Sequence, residues 1–567
     1  MTLLLAEISK KQSYIFNSIY PKDIVGASII IRKLTQGNEG SDTSIQDGVQ
    51  GGIQDGVQGG VQDDVQGDAG AGAQGDAQDA ACAGIQGDAQ GDANKLFAGL
   101  GGAGVAKKVY SGGGGFLLEF KNREKAIAWN KAHSRAILEN YPGIQYVSVV
   151  EDDANLGQGI RERIKILREK IAEKKNSRDF SFKLTGLGVE EPCIITGDPA
   201  DAYGHPNTDG KESNVSKELV VKQCEYDIGV AKYYESLLSK GFTFPNEKKV
   251  GRAKKFGEFI GNSDGERSLI GLVSIDGNKM GKKIKQWLDN AEDLNDDEYI
   301  KRYNDFTGAL DKVYRSAMKH LVKKMGENLD NLKASGMDIK DKEIPIIHIV
   351  LSGDDVSFVV DGRIAISAAV VFLRGLKQAA AESPGLNKLN MNFNACAGIA
   401  IAKDGFPYWK MAEIAEELQK HAKGAVANAD CDACVLDWQV LGGSIHVEPN
   451  KRSFSARPYV LKETISGEAN ALDNATDFSV FLNELSKLKN AEALNENHDE
   501  EQIANSVMAE IYRLLPNEDK LNKYIADIKD EKKQNAVNEF VLTSNRKALA
   551  DALSIKDIYV HIEGGKE

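Results

Sequence analysis

Short apolar runs of strand length alternate with longer stretches of helical periodicity, and the same order of parts occurs twice along the chain. In the first occurrence Leu3 to Ile8 reads as a strand and Ile24 to Lys33 as helical. Val105 to Tyr110 and Phe116 to Phe120 read as two strands about the turn Ser111 to Gly115, followed by a helix from Arg123 to Glu139 and a strand from Gln145 to Val150. In the second, Leu269 to Asp276 is a strand of buried type, residues 282–335 are helical and Ile346 to Val360 is a hairpin. A helix from Ile364 to Ala381, a strand from Met391 to Ile401 and a helix from Tyr408 to Lys423 complete it. The recurrence predicts an internal duplication, in which Tyr110 to Phe120 lies in the position of Leu351 to Phe358. Between the halves, residues 158–176 form a charged amphipathic helix, and 178–265 are loop-rich with a helix near Val230 to Lys240; residues 455–567 are largely helical. The pattern lapses from 37 to 94, where Gly, Gln, Asp and Ala dominate; too few large apolar side chains remain there to bury a core, which predicts a flexible insert.

The tip of the second hairpin is chemically unusual. Ser352-Gly353-Asp354-Asp355 puts two carboxylates side by side on a tight turn, where like charges repel and an Asn-Gly or Asp-Gly pair would serve a purely structural hairpin better. Adjacent acids ask for a cation, and paired divalent ions bridging nucleotide phosphates are one way to supply it; a solvated acidic turn is the other reading. Upstream, the strand ending at Asp276 runs through Gly277-Asn278-Lys279-Met280-Gly281 into a helix bearing Lys282 and Lys283. Such a strand-to-helix turn offers backbone N–H groups to phosphate. It is not a P-loop, since three residues separate the glycines and no Ser or Thr follows Lys282.

An opening strand with one carboxylate beside a hairpin with the others is the plan of a palm domain. Asp276-Gly-Asn-Lys-Met-Gly281, Ser352-Gly-Asp-Asp-Val-Ser-Phe358 with Asp361-Gly-Arg363, and Ala395-Cys-Ala-Gly-Ile-Ala-Ile401 resemble the palm of GGDEF-type nucleotide cyclases. They resemble more closely the second palm of the large polymerase-cyclase subunit of type III CRISPR complexes. The resemblance implies an α+β chain with two ferredoxin-like palms: a catalytically silent first palm over 1–150 interrupted by the insert, a helical and loop-rich linker over 151–266, a catalytic second palm over 267–440, and a mainly helical C-terminal domain over 441–567. The first copy has Glu7 where the second has Asp276, and glycines where the second has acids.

The resemblance further implies a nucleotidyltransferase that uses ATP with Mg²⁺ or Mn²⁺ to make a cyclic oligoadenylate messenger in antiviral defence. Asp276, Asp354 and Asp355 would be the metal-binding and catalytic acids, with Asp276 and Asp355 the stronger ligands. Nucleotide would be held by Gly277, Asn278, Lys279, Met280, Gly281 and Lys282, by Ser352 and Gly353, and by Lys420 or Lys423, which are similar to the phosphate-binding lysine near the end of GGDEF domains. Nucleoside triphosphates, other CRISPR-type subunits and guide RNA are the partners it suggests. An HD nuclease domain, frequent in that subunit, is not expected, because the chain opens directly on the first palm.

Charge bears on the rival readings. With 71 basic against 84 acidic residues the net charge is −13, so a broad basic groove for a duplex, as a template-directed polymerase requires, is not advertised. A diguanylate cyclase and a nucleotide-binding scaffold without turnover are two further rivals. Six scattered cysteines make no disulfide scaffold, and Cys431-Asp-Ala-Cys434 by itself cannot close a tetrahedral zinc site. No apolar run approaches the roughly 18 residues that span a bilayer, so a cytoplasmic protein without a membrane partner is expected.

Overall fold

The computed structural model describes residues 1–36, 105–152, 157–177, 188–206, 212–235, 237, 243, 268–289, 294–339, 342–383, 393–427, 431–442, 454–466, 472, 474–493 and 505–563. The 37–94 insert therefore lies outside the described residues, as does the far end of the helix expected near 230–240. Two compact units are present, one of Met1–Ser9 with Ile30–Cys224, the other of Lys10–Ile29 with Glu225–Glu567.

The first unit opens with β1 (Thr2–Ser9). A short helix α1 (Lys11–Ile15) and α2 (Pro21–Gln36) come next in the chain, and α2 is divided between the units. Strands β2 (Val105–Gly112) and β3 (Gly115–Phe120), helix α3 (Arg123–Asn140), strand β4 (Gln145–Val150) and helix α4 (Ile160–Ser177) complete an antiparallel sheet of order β2-β3-β1-β4, the ferredoxin-like arrangement. Alternation along the strands sends Leu4, Ala6, Phe116, Leu118 and Phe120 to one face, where Ala126 and Trp129 of α3 cover them. Asn122 caps α3 by accepting from the Lys125 amide at 3.0 Å. A two-stranded hairpin, β5 (Ala202–Pro206) and β6 (Glu212–Val215), precedes helix α5 (Lys217–Glu235). That helix begins earlier than apolar periodicity suggested, because Lys222 and Glu218 are buried as an ion pair at 2.8 Å and so interrupt the hydrophobic pattern.

In the second unit β7 (Leu269–Gly277) leads into α6 (Met280–Asp289), α7 (Asp296–Glu327) and α8 (Leu329–Ala334). The hairpin β8 (Ile346–Ser352) and β9 (Asp355–Asp361), helix α9 (Ala365–Glu382), strand β10 (Ala395–Lys403) and helix α10 (Tyr408–Ala427) follow. The order β8-β9-β7-β10 repeats that of the first sheet. Three strands that apolar periodicity does not reveal, β11 (Val435–Val440), β12 (Tyr459–Val460) and β13 (Thr476–Asp477), extend this sheet to seven, so it continues past residue 440. Two of the three are only two residues long, too short to show a period. Helices α11 (Phe478–Ala493), α12 (Asn505–Leu514), α13 (Glu518–Ala526), α14 (Glu531–Leu542) and α15 (Arg546–Leu553) finish the chain.

Two glycines of this sheet show how its faces are covered. A Cβ on Gly271 would lie 2.3 Å from the Cβ of Ala365 at the start of α9, and one on Gly398 would lie 1.9 Å from the carbonyl of Ala415 in α10. Gly398 pairs with Ser274, an even-numbered position of β7, whereas Gly271 is odd. Strand side chains alternate, so α9 and α10 cover opposite faces, and Asp276 belongs to the α10 face.

Candidate nucleotide and metal site

Asp276 and Asp355 are directly opposed in the antiparallel register of β7 and β9. Residues so paired have Cα atoms about 4.5–5.5 Å apart and share a face. Like charges directly opposite one another in a strand pair are destabilising, so the pairing persists only with compensation. Lys423 of α10 provides part of it, its Nζ donating to Asp276 Oδ2 at 2.6 Å and to the Gly277 carbonyl at 3.1 Å. Lys11 of α1 stands 3.7 Å from Asp355 Oδ2.

The loop between β8 and β9 has two central residues, Gly353 and Asp354, since Ser352 pairs with Asp355. Gly353 has φ 63° and Asp354 is not in the positive region, the II′ pattern that wants glycine first. Ser352 likewise keeps a negative φ, so serine is accommodated there. In the first unit the equivalent tip is Gly113-Gly114, with both φ positive and Gly112 opposite Gly115. The structural equivalent of Ser352 is therefore Gly112, one residue later than the sequence alignment of Ser111 with Ser352; repeated glycines left that register free to slip.

Burial, reinforced by Asp276 and then Asp355, pushes the Asp354 carboxyl up to about 6. Burial also raises Asp355, opposed by Lys11, and Glu416 of α10 is raised by burial against the pull of Lys420. An all-carboxylate donor set suits Mg²⁺ or Mn²⁺. Among the described residues no three His, Cys, Asp or Glu side chains are already convergent for metal binding. Asp276 is turned to Lys423 and Asp355 lies toward Lys11. Gathering the acids about a cation thus requires side-chain rotation away from the lysines.

The turn after Asp276 divides into inward and outward residues. A Cβ on Gly277 would fall 2.7 Å from both Met280 Cε and the Tyr314 hydroxyl. Met280 is buried core. Asn278 is buried too, its Nδ2 donating to Asp432 Oδ1 at 2.9 Å and to the Ala433 carbonyl at 2.8 Å. Lys283 donates to Asp432 Oδ2 at 2.7 Å. The side chains of Asn278 and Met280 are thus committed to holding the turn, and the Asn278 amide donates to the Asn394 carbonyl at 2.9 Å, which leaves the amides from Met280 onward, at the start of α6, to meet a phosphate. Lys279 is in the left-handed region at φ 54°, and Gly281 and Lys282 are exposed. Of the two lysines on α10, Lys423 reaches the acids; Lys420 is 71% exposed and stands 3.8 Å from Glu416 of its own helix.

Sequence reasoning missed Lys11, Asp432 and Tyr314. Lys11 and Asp432 are far in sequence from the residues they meet, and Tyr314 sits in a helix whose period explains it as core. Asp361 and Arg363, part of the motif resemblance, form a 2.8 Å ion pair, and Arg363 also donates to the Ser335 and Gly336 carbonyls, so they buttress the base of the hairpin. Cys431 and Cys434 are buried, and the Cys434 thiol packs 3.6 Å from Asn394 Oδ1.

Residues 269–430 match the family model described as Cas10/Cmr2, second palm domain. No curated protein matches the chain in sequence. Similar solved structures include a Csm1-Csm4 cassette in complex with cA4, at 12% identity and TM-score 0.45, covering 98% of this chain and 69% of that one. The cassette with pppApApA, at 11% identity and TM-score 0.47, covers 98% and 69%. The Csm1-Csm4 subcomplex of the type III-A CRISPR-Csm interference complex, at 12% identity and TM-score 0.44, covers the same shares. No helix among the described residues is long and apolar enough to cross a membrane.

Proposed function

We propose, from the premise that residues 269–430 are a Cas10/Cmr2 second palm domain, that this domain is a nucleotidyltransferase centre joining ATP into a cyclic oligoadenylate messenger of CRISPR-linked antiviral defence. The observation that carries the reading is the opposition of Asp276 and Asp355 in one register, with Asp354 at the adjoining turn and Lys423 on Asp276. A scaffold that only assembled would gain nothing from three acids held against their mutual repulsion.

Asp276 and Asp355 would hold Mg²⁺ or Mn²⁺, with Asp354 alongside. Such an ion would neutralise phosphate charge and so favour displacement of pyrophosphate by a 3′-hydroxyl at an α-phosphate. The chain's own residues have separate tasks. Lys423, released from Asp276, carries a positive charge to the triphosphate. The N–H groups opening α6 receive phosphate oxygens, with the turn fixed beneath them by Asn278, Lys283 and Asp432. The glycine tip at 112–115 bears no carboxylate, and the Lys175 ammonium pairs with Glu7; the first palm is thereby assigned no metal chemistry. Other CRISPR-type subunits and guide RNA are the partners that go with this reading, in the cytoplasm.

The test is incubation of the purified protein with each nucleoside triphosphate and Mg²⁺ or Mn²⁺, alone and with RNA, with products identified by mass spectrometry. Cyclic oligoadenylate absent from an Asp354→Ala/Asp355→Ala double variant supports the synthetase. Nucleotide binding without product under every condition would support the scaffold instead.

A further inference from the structure

Tyr314 is a core position by every measure except its hydroxyl. The side chain is fully buried on α7, with its ring 6.3 Å from that of Phe372. The Oη atom is buried and has no hydrogen-bond partner. An unmade hydrogen bond on a buried donor destabilises by about 1–3 kcal/mol, and phenylalanine would fill the same space without that penalty. A buried orphan donor of this kind asks for an explanation.

The space around it points to one. The hydroxyl occupies the position where a side chain on residue 277 would begin, 2.7 Å from the Cβ that Gly277 lacks. Glycine there lets the phenol reach the very end of β7, one residue beyond Asp276. The face is also informative. Asp276 and Asp355 share the α10 face of the sheet, whereas Gly277, next along the strand, belongs to the other. Continued one step, the register that opposes Asp276 to Asp355 brings Gly277 level with Asp354 of the turn. Among the charges acting on the Tyr314 hydroxyl, that of Asp354 is the largest and that of Asp276 the next.

We infer that Tyr314 is a positioning residue of the acid site, whose hydroxyl donates to the Asp354 carboxylate when that carboxylate turns to help hold a divalent cation. In the arrangement seen here Asp276 and Asp355 are drawn to lysines and no carboxylate accepts from the hydroxyl. Rotation of Asp354 supplies the missing acceptor, and the hydrogen bond fixes the carboxylate's orientation from behind, as outer partners do for metal ligands generally. Gly277 is the opening through which the phenol reaches the site.

This inference rests on the metal-site reading, and the experiment separates the two. Mn²⁺ alone is titrated into the full chain without nucleotide and bound ion is read by electron paramagnetic resonance, for the wild type, Tyr314→Phe, Asp354→Ala and the double variant. Melting temperatures are taken in EDTA. The expected result is that Tyr314→Phe weakens Mn²⁺ binding about tenfold while its melting temperature in EDTA is unchanged or higher, and that in the Asp354→Ala background the same change has no further effect. Equal Mn²⁺ affinity of Tyr314→Phe and wild type overturns the inference and leaves the metal site standing. So does an additive loss in the double variant, since the hydroxyl would then not act through Asp354. A fall in melting temperature in EDTA overturns it too, by giving the hydroxyl a partner in the metal-free fold. Absence of Mn²⁺ binding by the wild type refutes the metal-site reading itself, and this inference with it.

Discussion

Replacing Asp354 by Asn should make the metal-free protein more stable. Burial and the neighbouring charges of Asp276 and Asp355 raise its carboxyl from 3.8 to about 6. Because this value lies above that of the unfolded chain, the native state binds the proton more tightly between about pH 4 and 6, so stability falls as pH rises through that window and stays reduced at neutral pH. About two units at 1.36 kcal/mol each amount to roughly 3 kcal/mol. The side chain is only half-buried and solvent screens part of the effect, which leaves roughly 1–3 kcal/mol to be recovered. Asn is at home in a two-residue turn and carries no charge, so it keeps the geometry and removes the repulsion. The assay is chemical denaturation in EDTA at several pH values, followed by a signal specific to the second palm. At pH 7.5 the variant should be the more stable; the difference should vanish as pH falls through 6 toward 4, where the wild-type carboxyl is itself protonated. Added Mg²⁺ or Mn²⁺ should close the gap from the other side by stabilising the wild type alone. A variant no more stable than wild type at pH 7.5 would refute the claim that Asp354 is held against its electrostatic preference.

Three further outcomes follow from the same geometry. Gly277→Ala should destabilise the second palm by about 1–3 kcal/mol, because its Cβ must displace Met280 and Tyr314, whereas Gly281→Ala meets open space at the start of a helix and should be neutral or slightly stabilising; thermal melts of the two variants decide it. Lys423→Met should lower nucleotidyl transfer by roughly 10–100-fold, the worth of a charged hydrogen bond, while Lys420→Met stays near wild type in the same product assay. Asp432→Ala should cost about 3–5 kcal/mol in denaturant melts, since it leaves the buried Lys283 ammonium without its carboxylate.

The order of elements was legible in the sequence because each strand and helix of the two palms carries its own period, and because Asp276 and Asp354-Asp355 interrupt apolar runs where burial would forbid a charge without purpose. What was not legible is what depends on contact between distant segments. The two-residue strands β12 and β13 have no period to read and exist only because β11 offers an edge to β12 and β12 in turn to β13. Asn278 reads as a ligand for phosphate when only its neighbours in sequence are known; its side chain in fact ties the turn to Asp432, 154 residues on. Lys423 fits the family pattern better than Lys420, but a lysine near a helix C-terminus is ordinary, and it is the direction of α10 against β7 that brings Lys423 to Asp276 and leaves Lys420 by Glu416.

The two sheets, each taken alone, show how a shared plan diverged. Both opening strands carry an acid near their end, followed three residues later by a lysine in the left-handed region, Glu7 with Lys10 at φ 51° and Asp276 with Lys279 at φ 54°. Both acids are met by a lysine near the end of the helix after the fourth strand, Lys175 in one case and Lys423 in the other. The strand ends were therefore kept in both copies and the hairpin was not: Gly114 and Gly115 stand where the second copy has Asp354 and Asp355. A lone carboxylate matched by a lysine is already neutral and needs no further cation. Three carboxylates with Lys423 and Lys11 near them remain one positive charge short. On the proposed metal-site reading, that residual charge, rather than the fold the two copies share, would be what distinguishes the second hairpin from the first.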